Sequence, residues 1–225
     1  MYFISAPFGN YIKTKSTISV TGSWTLEPRP GLVKQVVKTL RYTKTGWRNK
    51  IGLRNKGIDY AVARHKRGDV MSLAAGEDWL GLYEKVSPYA SVEINISCPN
   101  LDKQVGQLVE GYDLWPKTDR EWCIAKISPL ADEALVDQLV YAGYTTIHAS
   151  NTLPSDKGGL SGKLLVPYTM RLLDYINKNH PHVEVIAGGG VTCEQDAEDY
   201  MNAGADHVSL GTVCFTPWKI KGIVG

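Results

Sequence analysis

Eight short apolar or β-branched runs punctuate the chain: Tyr2–Ala6, Ile18–Thr21, Val70–Leu73, Val92–Ile96, Cys123–Ile127, Thr146–Ala149, Val183–Ala187 and Val208–Leu210. Most end in Gly, Asn, Ser or Pro before a helical pattern begins, which is how buried parallel strands read in a sequence. Between them, Leu32–Tyr42, Asp78–Lys85, Ala131–Ala142, Pro167–Asn179 and Cys193–Ala203 carry apolar residues three and four apart, the spacing of amphipathic crossover helices. Eight strands with such crossovers close a barrel. The pattern therefore predicts an α/β fold, a single compact (β/α)8 TIM barrel. The helix after Val191 is expected to start with Thr192, whose hydroxyl can cap free N–H groups, and to end at Gly204. About a dozen residues separate the first two strands and a 13-residue tail follows Thr212, so reduced helices are expected after strands 1 and 8. Gly106–Arg120, polar and containing Gly, Pro and Trp, reads as a loop over the barrel mouth.

Length and composition agree with one domain over residues 1–225, since 225 residues at 43% hydrophobic content can enclose one sizeable core. Lys and Arg number 25 against 23 Asp and Glu; a net charge of +2 supplies no field for nucleic acid or an anionic membrane, which leaves small molecules as the expected ligands. Cys98, Cys123, Cys193 and Cys214 form no C-x-x-C pair and are too sparse for a disulfide scaffold. A reducing, cytoplasmic setting is expected. The opening MYFISAPFGNYIK lacks a basic start followed by an apolar run, and no stretch approaches the ~18 apolar residues of a membrane span, so no anchor is expected.

The segment Val92–Asn100 runs from a strand into a polar cluster closed by Pro99, at the strand end where barrel enzymes keep their catalysts. Asn95 and Asn100 each offer a donor and an acceptor, and Cys98 is an ionisable thiol held between them. Such a set can grip a planar polar ring. Gly188–Gly190 and Gly211-Thr212, each just after a strand, would let backbone N–H groups approach a phosphate, and loops after strands 7 and 8 are where barrels bind one. Lys126 sits inside an apolar strand, where an ammonium needs an anionic partner. The histidines are less informative: His65, His180 and His182 read as surface residues, and His148 and His207 as core or hydrogen-bonding residues without metal-ligand spacing. Arg64-His65-Lys66-Arg67 reads as a solvated charge run.

Ile94-Asn95-Ile96-Ser97-Cys98-Pro99-Asn100 resembles the active-site motif of dihydroorotate dehydrogenases of the soluble, cysteine-using type. Arg48–Gly57 is similar to that family's N-x-x-G-L-x-N-x-G substrate loop, and Thr25–Gly31 to the segment before it. Asn151-Thr152 followed by Gly158-Gly159-Leu160-Ser161-Gly162 resembles its N-[ST]…G-G-L-S-G loop, and the terminal glycine turns follow in order. The resemblance covers about residues 3 to 218. It departs at Thr21-Gly22-Ser23, where cysteine-type members carry a lysine over the flavin in a T-K-S-like context, and in lacking a full helix between the first two strands.

The resemblance implies an FMN-dependent oxidation of (S)-dihydroorotate to orotate, a step of pyrimidine biosynthesis, with Cys98 as base and hydride transfer to FMN. It implies substrate contacts from Asn49, Gly52, Leu53, Asn95, Asn100, Asn151 and Thr152. Cofactor contacts would come from Thr21, Gly22, Ser23, Asn95, Lys126, Gly159, Ser161, Gly162, Gly189, Gly190, Gly211 and Thr212. A related flavin-dependent dihydropyrimidine dehydrogenase or reductase, or a catalytically weak flavin-binding subunit, is the alternative. The thin helical ring suggests a homodimer or an accessory partner over the barrel flank.

Overall fold

The computed structural model describes residues 1–74, 78–96, 108, 110–156 and 158–225. Its first half contains β1 (Tyr2–Ile4), β2 (Thr17–Trp24), α1 (Leu32–Thr39), β3 (Arg41–Thr43), β4 (Gly46–Asn49), α2 (Ile58–Val62), β5 (Val70–Leu73), α3 (Trp79–Lys85) and β6 (Val92–Asn95). The second half adds β7 (Cys123–Ile127), α4 (Glu133–Tyr141), β8 (Thr146–Ala149), β9 (Leu153–Ser155), β10 (Gly158–Ser161), α5 (Val166–Asn179), β11 (Glu184–Gly188), α6 (Glu194–Asn202), β12 (His207–Leu210) and α7 (Lys221–Val224). All eight expected strands are present and close a parallel barrel in the order β1, β2, β5, β6, β7, β8, β11, β12.

Burial on both faces explains why these strands read as continuous apolar runs rather than alternating ones: every residue of β5, β6, β8 and β12 is buried. The crossovers bury one stripe each. Leu135, Val136 and Leu139 of α4 and Leu172, Leu173 and Ile176 of α5 face the barrel, and each such side chain stabilises the fold by about 1.5–3 kcal/mol. Asp78 and Asp132 fix two helix starts by accepting the N–H groups of Gly81 (2.7 Å) and Leu135 (2.9 Å).

Several local expectations are corrected. The Leu32–Tyr42 pattern ends as a helix at Thr39, buries no residue and does not cross the barrel; α2, five residues long and too short to show a period, buries Ile58 and Ala61 and serves as that crossover. Arg41–Thr43 instead starts a four-stranded antiparallel sheet, in the order β3, β4, β10, β9, absent from the sequence reading because its strands are short and Gly-rich. Within the stretch read as a loop over the mouth, Tyr112–Lys117 forms a 3-10 turn in the outer layer, with Trp115 fully buried against Trp79 and Tyr83 of α3. Thr192 does not cap α6: its N–H and its hydroxyl both donate to the Asp196 carboxylate (2.8 Å each), and Cys193 holds the cap position. Gly204 does take the left-handed conformation expected of it, at φ +97°. A single 3-10 turn (Phe8–Asn10) follows β1, and after β12 come 3-10 turns and the four-residue α7, where Ile220 and Ile223 are buried. Reduced helices at both places match the expectation.

Candidate active site

The C-terminal ends of the barrel strands open on a cavity of about 1050 Å³. Thr21, Gly22 and Ser23 reach it from β2, Asn95 from β6, Lys126 from β7, Asn151 and Thr152 from the end of β8, and Gly189, Gly211 and Thr212 from the turns after β11 and β12. The small sheet and its loop contribute Asn49, Gly52, Leu53 and Ser161. Residues scattered over most of the sequence thus meet in one place. Cys98 and Asn100, with the rest of their motif after Ile96, lie outside the described residues.

Three candidates do not line this cavity. Gly159 is a strand residue of β10 paired with Asn49 of β4, and Gly162 packs on the backbone of Thr45 and Gly46, where a side chain would not fit. Gly190 opens instead on a depression of about 200 Å³ with Lys163, Asp196 and Tyr200. The two glycines at the mouth also differ. A side chain on Gly189, at φ +106°, would meet Leu165 Cβ at 2.7 Å, whereas one on Gly211 would face only the Ser5 hydroxyl at 3.5 Å. Gly211 leaves its space to the cavity. Gly189 is required by packing as well.

A chain of hydrogen bonds orients the polar floor. Ser72 and Ser23 hydroxyls lie 2.9 Å apart, Asn95 Nδ2 donates to Ser23 Oγ (3.2 Å), Asn151 Nδ2 donates to Asn95 Oδ1 (3.0 Å), and the Thr152 N–H donates to Asn151 Oδ1 (2.8 Å). Each amide is therefore held in one orientation at the cavity floor. Gly22 cannot be a longer residue without moving the backbone, because at φ +110° its Cβ would stand 2.4 Å from Ser72 O. The pairing of β2 with β5 shifts register between Gly22 and Trp24.

Asn55 braces the loop that follows Asn49. Its Oδ1 accepts the Gly57 N–H (2.7 Å), and its Nδ2 donates to Leu53 O (2.9 Å) and Thr25 Oγ1 (3.0 Å).

Lys126 has an anionic partner inside the protein. Its Nζ lies 3.6 Å from Glu93 Oε1, while His148 Nδ1 lies 2.7 Å from Glu93 Oε2, and all three side chains are buried. Burial pushes the Glu93 carboxyl up, but the Lys126 charge and the His148 contact outweigh it and hold the group ionised, well below the usual carboxylate range. Glu93 was missed in the sequence; the signal was a lone carboxylate inside the apolar run Val92–Ile96. The described cysteines nearest the core are inert, since burial pushes both Cys123 and Cys214 up to about 12.

Arg64 and Lys56 flank the Tyr60 ring at 4.1 and 4.5 Å, and with Arg29, Arg54 and Lys66 they rim the outer cavity. The run read as solvated thus adds a positive entrance. Among the described residues no helix is long and apolar enough to cross a membrane.

The family model for dihydroorotate dehydrogenase matches residues 8–223. The catalytic subunit of dihydroorotate dehydrogenase B (NAD(+)) from Thermotoga maritima is 30% identical over 252 residues, which cover 97% of this chain and 90% of that protein. Dihydroorotate dehydrogenase A (fumarate) from Lactiplantibacillus plantarum is 27% identical, covering 94% and 82%. The crystal structure of a ligand-free DHODH from Eimeria tenella shares the fold, with a TM-score of 0.65 at 19% identity over 91% of this chain and 75% of that one. The chain belongs to the dihydroorotate dehydrogenase family and is an enzyme of the oxidoreductase class.

Proposed function

We propose that this protein oxidises (S)-dihydroorotate to orotate with bound FMN, with Cys98 as the base. The observation that carries the reading is the Asn151–Asn95 hydrogen bond beside buried Lys126, in a cavity that also receives the Gly211-Thr212 turn. The residues fit the cofactor on three counts. Gly211 presents bare backbone toward the space, Lys126 offers a cation to an electron-rich ring, and a volume of about 1050 Å³ lies at the upper end for small-molecule sites. FMN, when bound, would supply the hydride-accepting centre and the means of passing electrons to a second acceptor.

The chain's own residues then have separable tasks. The backbone at Gly189, Gly211 and Thr212 would hold the phosphate, with Thr21, Gly22, Ser23 and Ser161 along the rest of the cofactor. Lys126 would sit beside its ring. Asn49, Asn95, Asn100, Asn151 and Thr152 would orient the dihydropyrimidine and its carboxylate, assisted by the Gly52-Leu53 backbone. Cys98 would take the proton from C5 as the hydride leaves C6, since an amide cannot act as a base and the Lys126 ammonium is ion-paired with Glu93. The positive rim of Arg29, Arg54, Lys56, Arg64 and Lys66 would draw in an anionic substrate.

Anaerobic mixing of the FMN-loaded protein with dihydroorotate tests this. Bleaching of the flavin by dihydroorotate and not by dihydrouracil is expected. Bleaching by dihydrouracil alone would assign the chain to another dihydropyrimidine, and bleaching by neither would leave a flavin-binding subunit.

A further inference from the structure

His148 is a titratable side chain on the floor of the cavity to which the proposed reaction gives no task. It projects from β8 into the barrel with 1% of its surface exposed. Its Nδ1 faces the ionised Glu93, which can only accept a hydrogen bond, so Nδ1 carries the proton and Nε2 presents a lone pair. That Nε2 is buried and has no hydrogen-bond partner among the described residues. It lies 3.2 Å from the point where a side chain on Gly188 would begin, and both residues line the cavity. The unpaired acceptor thus faces Gly188, which itself lines the cavity where the cofactor would lie. Burial, and then the Lys126 charge, keep the imidazole neutral despite Glu93.

The charged groups acting on His148 are Lys126 from β7 and Glu93 from β6. Of the other strands around it, β5 supplies Ser72, β11 Gly188 and β12 Ser209 next to Gly188, none of which titrates near neutrality. One cation, one anion and a neutral imidazole sum to zero. A negative charge placed on this floor would leave an uncompensated charge in a dry interior, which is costly. A proton on Nε2 restores neutrality without moving any backbone.

We propose that His148 is a redox-linked proton site, neutral when the cofactor is oxidised and protonated at Nε2 when the cofactor carries the negative charge of its two-electron-reduced form. This rests on the reading of the cavity as a flavin site. The balance is as follows: hydride from the dihydropyrimidine brings two electrons and one proton to the ring, and the proton on Nε2 comes from solvent. Both protons are released to solvent when the second acceptor removes the electrons.

The test is spectroelectrochemical titration of the FMN-loaded protein at several pH values around neutrality, which counts protons taken up per two electrons. The parent should take up two and His148→Gln one. One proton in the parent, or two in both proteins, would overturn the proposal. If the variant does not hold flavin, ¹⁵N spectra of imidazole-labelled parent decide: His148 should pass from the Nδ1-protonated tautomer to the doubly protonated ring on reduction, and an unchanged ring overturns the proposal. A protein that shows no bound-flavin spectrum at all fails at the earlier step, the reading on which this one rests.

Discussion

Phe215 stacks on Trp47 with ring centroids 4.2 Å apart and planes 19° from parallel, fixing the turn after β12 to the small sheet. Phe8 meets Phe215 edge-on at 5.0 Å and Tyr42 leans on Trp47 at 5.1 Å, so an aromatic row joins the turn after β1, the turn after β12 and the edge of β3–β4. Asn49, at the end of β4, and Thr212, at the start of that turn, thereby hold a fixed separation across the mouth.

Phe215→Ala should loosen this row while leaving the barrel closed. The stacking alone is worth about 0.5–1.5 kcal/mol beyond its buried area. A lower melting temperature with an unchanged far-UV spectrum is expected, together with faster loss of FMN on dilution, followed by flavin fluorescence. Unchanged flavin retention would show that the small sheet is held by its hydrogen bonds alone.

Gly211→Leu separates the phosphate site from folding. Gly211 has an ordinary φ of −114°, and a side chain there meets only the Ser5 hydroxyl, so the variant should fold. FMN affinity should fall at least about tenfold because the side chain occupies the approach of the backbone to a phosphate. Equilibrium dialysis with FMN measures it. Gly189 is unsuited to the same test, because its clash with Leu165 would damage packing first.

Cys98→Ala should retain FMN and orotate while reduction by dihydroorotate slows by about a hundredfold or more, the usual contribution of a positioned base. Stopped-flow bleaching of the flavin isolates this step from reoxidation. Bleaching within a few-fold of the parent rate would remove Cys98 from the mechanism.

Asp196 joins the turn after β11 to the Lys163 ammonium and to the N–H and hydroxyl of Thr192. Burial pushes its carboxyl up, but these hydrogen bonds bring it down to about 2. A carboxyl depressed in the folded state stabilises the protein above its unfolded value, about 3.9, and that contribution is lost as the pH falls toward about 2. Asp196→Asn should therefore be less stable than the parent at neutral pH, by no more than about 1 kcal/mol for so open a pair, and the two should converge in acid. Urea midpoints at neutral pH and near pH 3 check this.

The sequence by itself determined the barrel, because strands buried on both faces must be apolar throughout and their crossovers must repeat every three or four residues. That is why β5, β7 and β8 match the runs at Val70–Leu73, Cys123–Ile127 and Thr146–Ala149 residue for residue. It also carried the polar residues at strand ends, since Asn95, Lys126 and Asn151 each interrupt or end an apolar run. Only the tertiary structure decided who partners whom. Glu93 and His148 are 55 positions apart and mean nothing together until two strands flanking β7 turn both side chains inward. The G-G-L-S-G segment likewise reads as a ligand loop until β10 pairs with β4, where most of its glycines are needed so that two backbones can meet. Period and polarity are local properties of a chain, whereas charge compensation and close backbone approach depend on distances that closure of the barrel alone sets.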